Sequence, residues 1–466
     1  MIFNSIHFLV FFIVVTVWFF RLQHQRSRVW LLLLSSCYFY MTFIPVYILI
    51  LFFTILVDYY AGLFLERTDG RTRKLILTGS IVANIGVLVV FKYFNFLSAS
   101  LQPALHALFP SVHTPILDLL LPIGLSFHTF QALSYTIEVY RRKQPAEKDI
   151  VVYALYVMYY PQLVAGPIER PQNMLGQFHE FRPYNWNNVK EGLLRMSWGF
   201  FKKMVIADRV AMIVDHVYDT HQQQSSLTLG IGAIAYSVQI YCDFSGYSDI
   251  AIGASKVMGI KLMENFRNPY GAQGLAAFWK RWHISLSSWF RDYLYIPLGG
   301  GRRGALRTRL NVFVVFLVSG LWHGANWTFG LWGVLHGFFV SLFPGVKTTE
   351  GGMPNGSRVG AIARVTATFL LVTLLWIFFR APTIQDAFTY IGGIFTLNGG
   401  GLSTGLNTTE FLLAVLLSIL MFGAEARIKR FYFGSDVLFF VTVFLSVIVC
   451  YFLGVVGETK FIYFQF

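Results

Sequence analysis

The sequence predicts an all-α polytopic membrane protein, and three observations carry that prediction. Of 466 residues 55% are hydrophobic and only 13% charged, too few charges to coat a soluble globule of this size. Apolar runs long enough to cross a ~30 Å hydrocarbon core as helix recur along the whole length. Basic residues collect in the gaps between those runs. The spans must be helical, because backbone polar groups in hydrocarbon need internal partners. No soluble domain is left over, so one membrane-embedded domain over 1–466 is expected, ending in an aromatic tail at 455–466.

The first apolar stretch, 6–20, has no basic residue before it and Arg21, Arg26 and Arg28 after it, the reverse of a secretory signal peptide. It is expected to stay as a helix with its N-terminus outside. The Pro45 turn then lies outside and the Arg67, Arg71, Arg73, Lys74 loop inside. The stretch 95–118, with Pro103, Pro110 and Pro115, lies outside, and 119–139 returns to Arg141-Arg142-Lys143. Lys92 is discordant and is expected to snorkel to the interface. Pro161, Gly166-Pro167 and Arg170-Pro171 interrupt the next apolar run, which predicts a re-entrant or broken helix. A helix from about 193 leads out to the uncharged loop at His221, and 229–241 goes back in.

Between Lys256 and Arg309 ten basic residues face only Glu264 and Asp292, interleaved with aromatic residues. A cytoplasm-facing, partly embedded cationic funnel fits this pattern. Helices follow at 310–322, 327–342, 362–379, 411–422 and 437–453, about eleven spans in all. Glu425, Arg427, Lys429 and Arg430 put the start of the last helix inside and Tyr463 outside. The net charge of +14 is read as topology, and no nucleic-acid partner is expected. Cys37, Cys242 and Cys450 have neither disulfide nor zinc spacing, so they read as core residues and no metal is expected.

Two histidines stand out as candidate catalytic residues. His323, in Gly320-Leu321-Trp322-His323-Gly324, sits in an apolar run where an ionisable group is costly without a partner or a path for water. Its neutral imidazole is suited to act as a general base toward a hydroxyl attacking a thioester; a packing histidine bonded to a neighbouring helix is the alternative. His283 follows Lys280 and Arg281 in a Trp-rich stretch and reads by itself as interfacial. His336 and His128 read as packing residues. Lys280, Arg281, Arg291, Arg302 and Arg303 are candidates for holding the phosphates of a nucleotide-bearing acyl donor, although topology alone also places cations there. Gly299-Gly300-Gly301 lacks the strand and helix of a phosphate loop and reads as a flexible turn. Asp243 and Asp249 are expected to pair with the cationic funnel. Tyr463, in the tail Phe461-Ile462-Tyr463-Phe464-Gln465-Phe466, carries a hydroxyl able to take an acyl group if a base is within reach, and reads otherwise as an aromatic belt residue.

The segments Leu121–Phe127, Pro161–Pro167, Phe201-Lys202-Lys203, Tyr241–Gly253, Glu264–Tyr270, Trp279–Gly300 and Gly320–Trp327 together resemble the membrane-bound O-acyltransferase family, in its bacterial alginate O-acetylation branch. The resemblance runs in order along nearly the whole chain. It implies a ring of tilted helices around a thin core with a central tunnel, His323 as the catalytic histidine and His283 as a second polar position in that tunnel. It further implies acetyl-CoA as cytoplasmic donor, the bacterial inner membrane as location and an exported polysaccharide as final acceptor, with alginate, cellulose and peptidoglycan all open. The tail resembles that of a small partner of the related D-alanyl transfer protein, where the tyrosine is a proposed acyl relay. No Gly-Asp-Ser hydrolase motif is present in the sequence, so the last step is expected from a separate extracytoplasmic SGNH-type acetyltransferase or acetyl-relay protein. Transfer of D-alanine or another acyl group from a carrier protein is the alternative within the family. A polytopic solute transporter with histidines as a proton path is the alternative outside it.

Overall fold

The structure, a computed structural model, describes residues 1–164, 166–343, 358–427, 435–455 and 461–462, and among these all regular structure is helical. Among the described residues seven helices are long and apolar enough to cross a bilayer: Pro45–Arg67, Gly70–Leu108, Ser226–Val257, Ala305–His323, Arg358–Arg380, Thr408–Glu425 and Asp436–Leu453. Ile6–Arg21 and Trp327–Leu342 are shorter apolar helices. Gln25–Met41 and Leu125–Tyr140 carry buried polar residues such as Arg28 and Gln131, so apolarity alone does not count them. The protein is a multi-pass helical membrane protein. Its packing divides into two compact units, one of residues 1–193 with 251–263 and the other of 194–250 with 264–466.

In the first unit buried polar side chains join neighbouring helices. Asp58 on Pro45–Arg67 accepts from Ser80 Oγ at 2.5 Å, from Asn84 Nδ2 at 2.9 and 3.0 Å and from Thr136 Oγ1 at 3.1 Å, which ties three helices together. His128 Nε2 and Thr54 Oγ1 are 2.8 Å apart, so His128 is the packing residue the sequence suggests. Lys92 sits half-buried in a π-helical turn, Val89–Tyr93.

The broken helix is also present. Asp149 caps Ile150–Met158 through Val151 N at 2.9 Å, and the helix stops where Pro161, lacking an N–H, cannot continue the ladder. The backbone groups freed at the break are covered by protein. Tyr160 N donates to Ser36 Oγ at 3.0 Å, and Gln162 Nε2 donates to the Tyr156 carbonyl at 2.8 Å.

A helix starting at Trp186 enters the second unit at Leu194 and runs through a π-helical turn, Phe201–Ala207, into Asp208–Asp219. It approaches the long helix Ser226–Val257 at Gly199, where a Cβ would lie 2.6 Å from the Gly246 carbonyl oxygen. Residues 264–304 are neither a clean span nor a clean loop, as the charge pattern predicts. They hold two short helices, Leu275–Trp279 and Ile284–Phe290, and a π-helical turn, Arg291–Tyr295. Ala305–His323 and Trp327–Leu342 then form a tight helical hairpin. A Cβ on Gly320 would lie 2.3 Å from the Phe329 carbonyl oxygen, and one on Gly333 would lie 2.4 Å from that of Phe316. Small residues allow this backbone approach, which is how helices gain contact in a solvent as apolar as their own side chains.

The hairpin should therefore tolerate no side chain at its crossing. Gly333→Val is expected to lower stability by about 1–3 kcal/mol through overpacking. Gly230→Ala, where an added Cβ meets nothing within 4 Å, should leave the melting curve in detergent nearly unchanged. Equal melting temperatures for the two variants would mean that the close crossing is absent.

Candidate functional site

His323 is the last residue of Ala305–His323. The chain then turns through Gly324, whose extended backbone leaves no room for a side chain because a Cβ would lie 2.1 Å from the Phe329 ring. Asn326 starts the return helix by accepting from Thr328 N at 3.0 Å, and its Nδ2 ties the turn to the Pro382 carbonyl at 2.9 Å. The buried imidazole lies among aromatic rings, edge-on to Trp322 at 4.9 Å, Trp332 at 5.3 Å and Phe379 at 5.3 Å between centroids. His336 shares this cage. Its ring is 4.7 Å from Trp332, and its Nδ1 accepts from Trp279 Nε1 at 3.3 Å.

His283 is fully buried and adopts a left-handed conformation, φ 44°, directly before Ile284–Phe290. That is costly for a non-glycine residue and persists only where the surroundings fix it. Asn265 does the fixing. Its backbone carbonyl accepts from Ile284 N at 2.9 Å, and its side-chain oxygen accepts from Ser285 Oγ at 2.9 Å and Ser285 N at 3.3 Å. The other end of the same amide donates to Ser248 Oγ at 3.1 Å. Since the Ser285 N–H can only donate, the atom facing it is an oxygen, and His283 Nδ1, 3.0 Å from that oxygen, must carry a proton.

The structure brings the two candidate histidines to one indole. Trp322 is 4.9 Å from His323 and 6.3 Å from His283 between ring centroids. His283 also meets Phe244 edge-on at 4.7 Å. Asn265 was not singled out from sequence for this role, because an asparagine in an aromatic motif carries no local sign of which ring it orients.

Asp243 and Asp249 pair differently from the expectation. Their partners lie outside the 256–309 stretch, on the interrupted helix that starts at Trp186. Lys203 Nζ is 2.6 Å from Asp243 and 2.8 Å from Asp208, and Lys202 Nζ is 2.6 Å from Asp249. Arg195 bonds Asp249 at 2.9 Å and holds Glu264 through both terminal nitrogens. The correction follows from helix geometry, since Arg195, Lys202 and Lys203 run antiparallel to the carboxylates on an adjoining helix, a relation that sequence distance hides.

The candidate donor-binding cations are spread out. Lys280, Arg302 and Arg303 are exposed, and Arg291 is exposed beside Asp292 at 2.8 Å. Arg281 is half-buried, with Nη1 3.3 Å from the Gly271 carbonyl oxygen. Arg302 and Arg303 follow the triple-glycine segment, a built turn in which Gly299 and Gly300 have φ of 109° and 56° and Asn311 Nδ2 holds the Gly300 carbonyl at 2.9 Å. Among the described residues no group of three or more His, Cys, Asp or Glu is arranged to hold a metal. Tyr463 lies outside the described residues, but Phe461 and Ile462 are within them and both are buried. Phe461 stacks on Tyr247 at 4.2 Å and meets Phe244, the ring that faces His283, at 6.1 Å.

Comparison with known proteins gives the family of the chain. The profile of the membrane-bound O-acyltransferase family matches residues 45–379. The chain is 37% identical over 428 residues to the probable alginate O-acetylase AlgI of Pseudomonas putida, covering 89% of this chain and 86% of that protein. It is 38% identical over 444 residues to the probable alginate O-acetylase AlgI of Pseudomonas aeruginosa, covering 93% and 82%. It is 34% identical over 417 residues to the peptidoglycan O-acetyltransferase of Helicobacter pylori, covering 83% and 77%. The profile spans most of the chain and so do the relatives; the chain belongs to the membrane-bound O-acyltransferase family, and it is an acyltransferase.

Proposed function

We propose that this protein takes an acetyl group from acetyl-CoA at the cytoplasmic face of a bacterial inner membrane and passes it outward for O-acetylation of an exported polysaccharide. The observation that carries the reading is the convergence of His323, Trp322 and His283 in one buried cluster, with the C-terminal tail packed beside it. The relatives named for alginate and peptidoglycan O-acetylation supply the substrate class.

In this reading His323 is the general base and Tyr463 the first acceptor. The phenol oxygen attacks the thioester carbonyl, the carbon–sulfur bond breaks, and the phenol proton passes through His323 to the departing thiolate. No oxidant or second cofactor is needed. A phenol with a pKa of ~10 is a weak nucleophile at neutral pH, so the base is required rather than helpful. His283, with its Nδ1–H held by Asn265, orients the reacting group. The acetyl ester on Tyr463 then passes to a hydroxyl of an extracytoplasmic SGNH-type transferase or relay protein, with the phenol proton restored. Lys280, Arg281, Arg291, Arg302 and Arg303 form the cytoplasmic approach for the donor phosphates.

Three outcomes follow. His323→Ala should abolish polymer acetylation, a loss of at least ~10²-fold for removing a general base, while the protein accumulates normally in the membrane. Activity at the wild-type level would end the assignment. The double variant Arg302→Gln, Arg303→Gln should raise the KM for acetyl-CoA several-fold with little change in kcat, because a phosphate contact far from the thioester is made equally in ground and transition states. With acetyl-CoA supplied externally, inverted vesicles should be active and right-side-out vesicles inactive; equal activity would place the donor site on the wrong face.

A further inference from the structure

We infer that Asp243 is a positioning residue that tethers the C-terminal tail at Ile462, the residue before Tyr463, on the Phe244 side of His283; the inference rests on the relay reading above. The contact is specific. Ile462 N donates to Asp243 Oδ2 at 2.7 Å, while the same carboxylate binds Lys203 at 2.6 Å. Lys203 also holds Asp208 at 2.8 Å, so two buried carboxylates share one ammonium. A buried carboxylate with half a counter-charge favours any further donor, and the tail supplies a backbone N–H.

Asp243 and Tyr247 are four residues apart on Ser226–Val257 and therefore share a helix face. One holds the backbone of Ile462 and the other stacks on Phe461 at 4.2 Å. Phe244, next along the helix, contacts Phe461 at 6.1 Å and His283 at 4.7 Å. One short stretch of helix thus touches both the tail and the site histidine.

The approach of the tail is marked by two further contacts. Arg209 Nη2 donates to the Leu453 carbonyl at 2.8 Å, and Val455 N donates to the Met204 carbonyl at 3.1 Å. From 209 through 204 to the Lys203–Asp243 pair the tail contacts step back along the interrupted helix. Met204 lies in the π-helical turn Phe201–Ala207, and the extra residue in such a turn leaves a carbonyl available to a partner outside the helix.

The test separates the tether from the relay. In Tyr247→Cys, Phe461→Cys protein, a short bifunctional thiol reagent should link the two introduced cysteines, identified by mass spectrometry of the linked peptides. Adding Ile462→Pro, which removes the donating N–H, should reduce the linked fraction at least tenfold, and Ile462→Ala should reduce it less. In the otherwise native chain, Ile462→Pro should lower kcat at least tenfold with the KM for acetyl-CoA unchanged, and again more than Ile462→Ala does. No cross-link, or one undiminished by Ile462→Pro, overturns the tether. A cross-link that depends on the N–H, combined with an undiminished kcat, leaves the tether standing and sinks the relay reading. Should Ile462→Pro fail to accumulate, hydrogen exchange on the wild-type protein decides: a protected Ile462 amide is expected, and exchange at the free-peptide rate overturns the proposal.

Discussion

Lys202 and Lys203 lie buried side by side in a π-helical turn, and two ammonium groups cannot remain there without counter-charges. Asp249, Glu425, Asp208 and Asp243 supply them, and Tyr241 donates to the far oxygen of Glu425 at 2.7 Å. This ionic mesh fixes the interrupted helix against Ser226–Val257 and brings in Glu425, at the end of Thr408–Glu425. Arg195 extends it to Glu264, next to Asn265, which orients His283. Breaking one partner of such a mesh leaves a buried charge uncompensated and typically costs 3–5 kcal/mol. The position of His283 thus depends on a mesh of charges spread over three helices.

The second constraint is backbone. Non-helical chain at membrane depth survives only where protein covers it, and this fold uses that allowance around the site. The left-handed His283, the short helices of 264–304 and the π-helical turns are all irregular segments. The regular part is the hairpin that ends at His323, made rigid by glycines that let its backbones touch. One candidate histidine therefore sits on a stiff element and the other on an irregular one, with Trp322 between their rings.

Much of this was legible in the sequence. Several apolar runs gave the spans within a few residues: 310–322 was expected where the helix is Ala305–His323, and 437–453 where it is Asp436–Leu453. The run 229–241 fell short of Ser226–Val257, because Asp243, Asp249 and Lys256 break the apolar pattern without ending the helix. Pro161 announced the broken helix, because a missing N–H is a local fact. The histidine motifs singled out His323 and His283, yet the meeting of both rings with Trp322 is a tertiary relation that no spacing encodes. The partners of Asp243 and Asp249 were misread for the same reason: a nearby basic stretch is visible in a sequence, whereas a lysine pair forty residues upstream becomes the neighbour only when two helices run antiparallel. Glu264 and Asn265 stood in a recognisable motif, but their tasks, one ionic and one orienting, depend on Arg195 and His283 arriving from elsewhere.

The central claim is that an acetyl group leaves its donor at the histidine pair and rests on the C-terminal tail before leaving the protein. The most direct measurement is mass spectrometry of the C-terminal peptide after purified wild-type protein has been incubated with acetyl-CoA in the absence of any downstream partner. One acetyl group on Tyr463, formed by the wild type and not by His323→Ala, is the predicted result. An unmodified tail in the wild type, together with full polymer acetylation by a Tyr463→Phe variant, would contradict it and leave direct transfer from the donor as the only route.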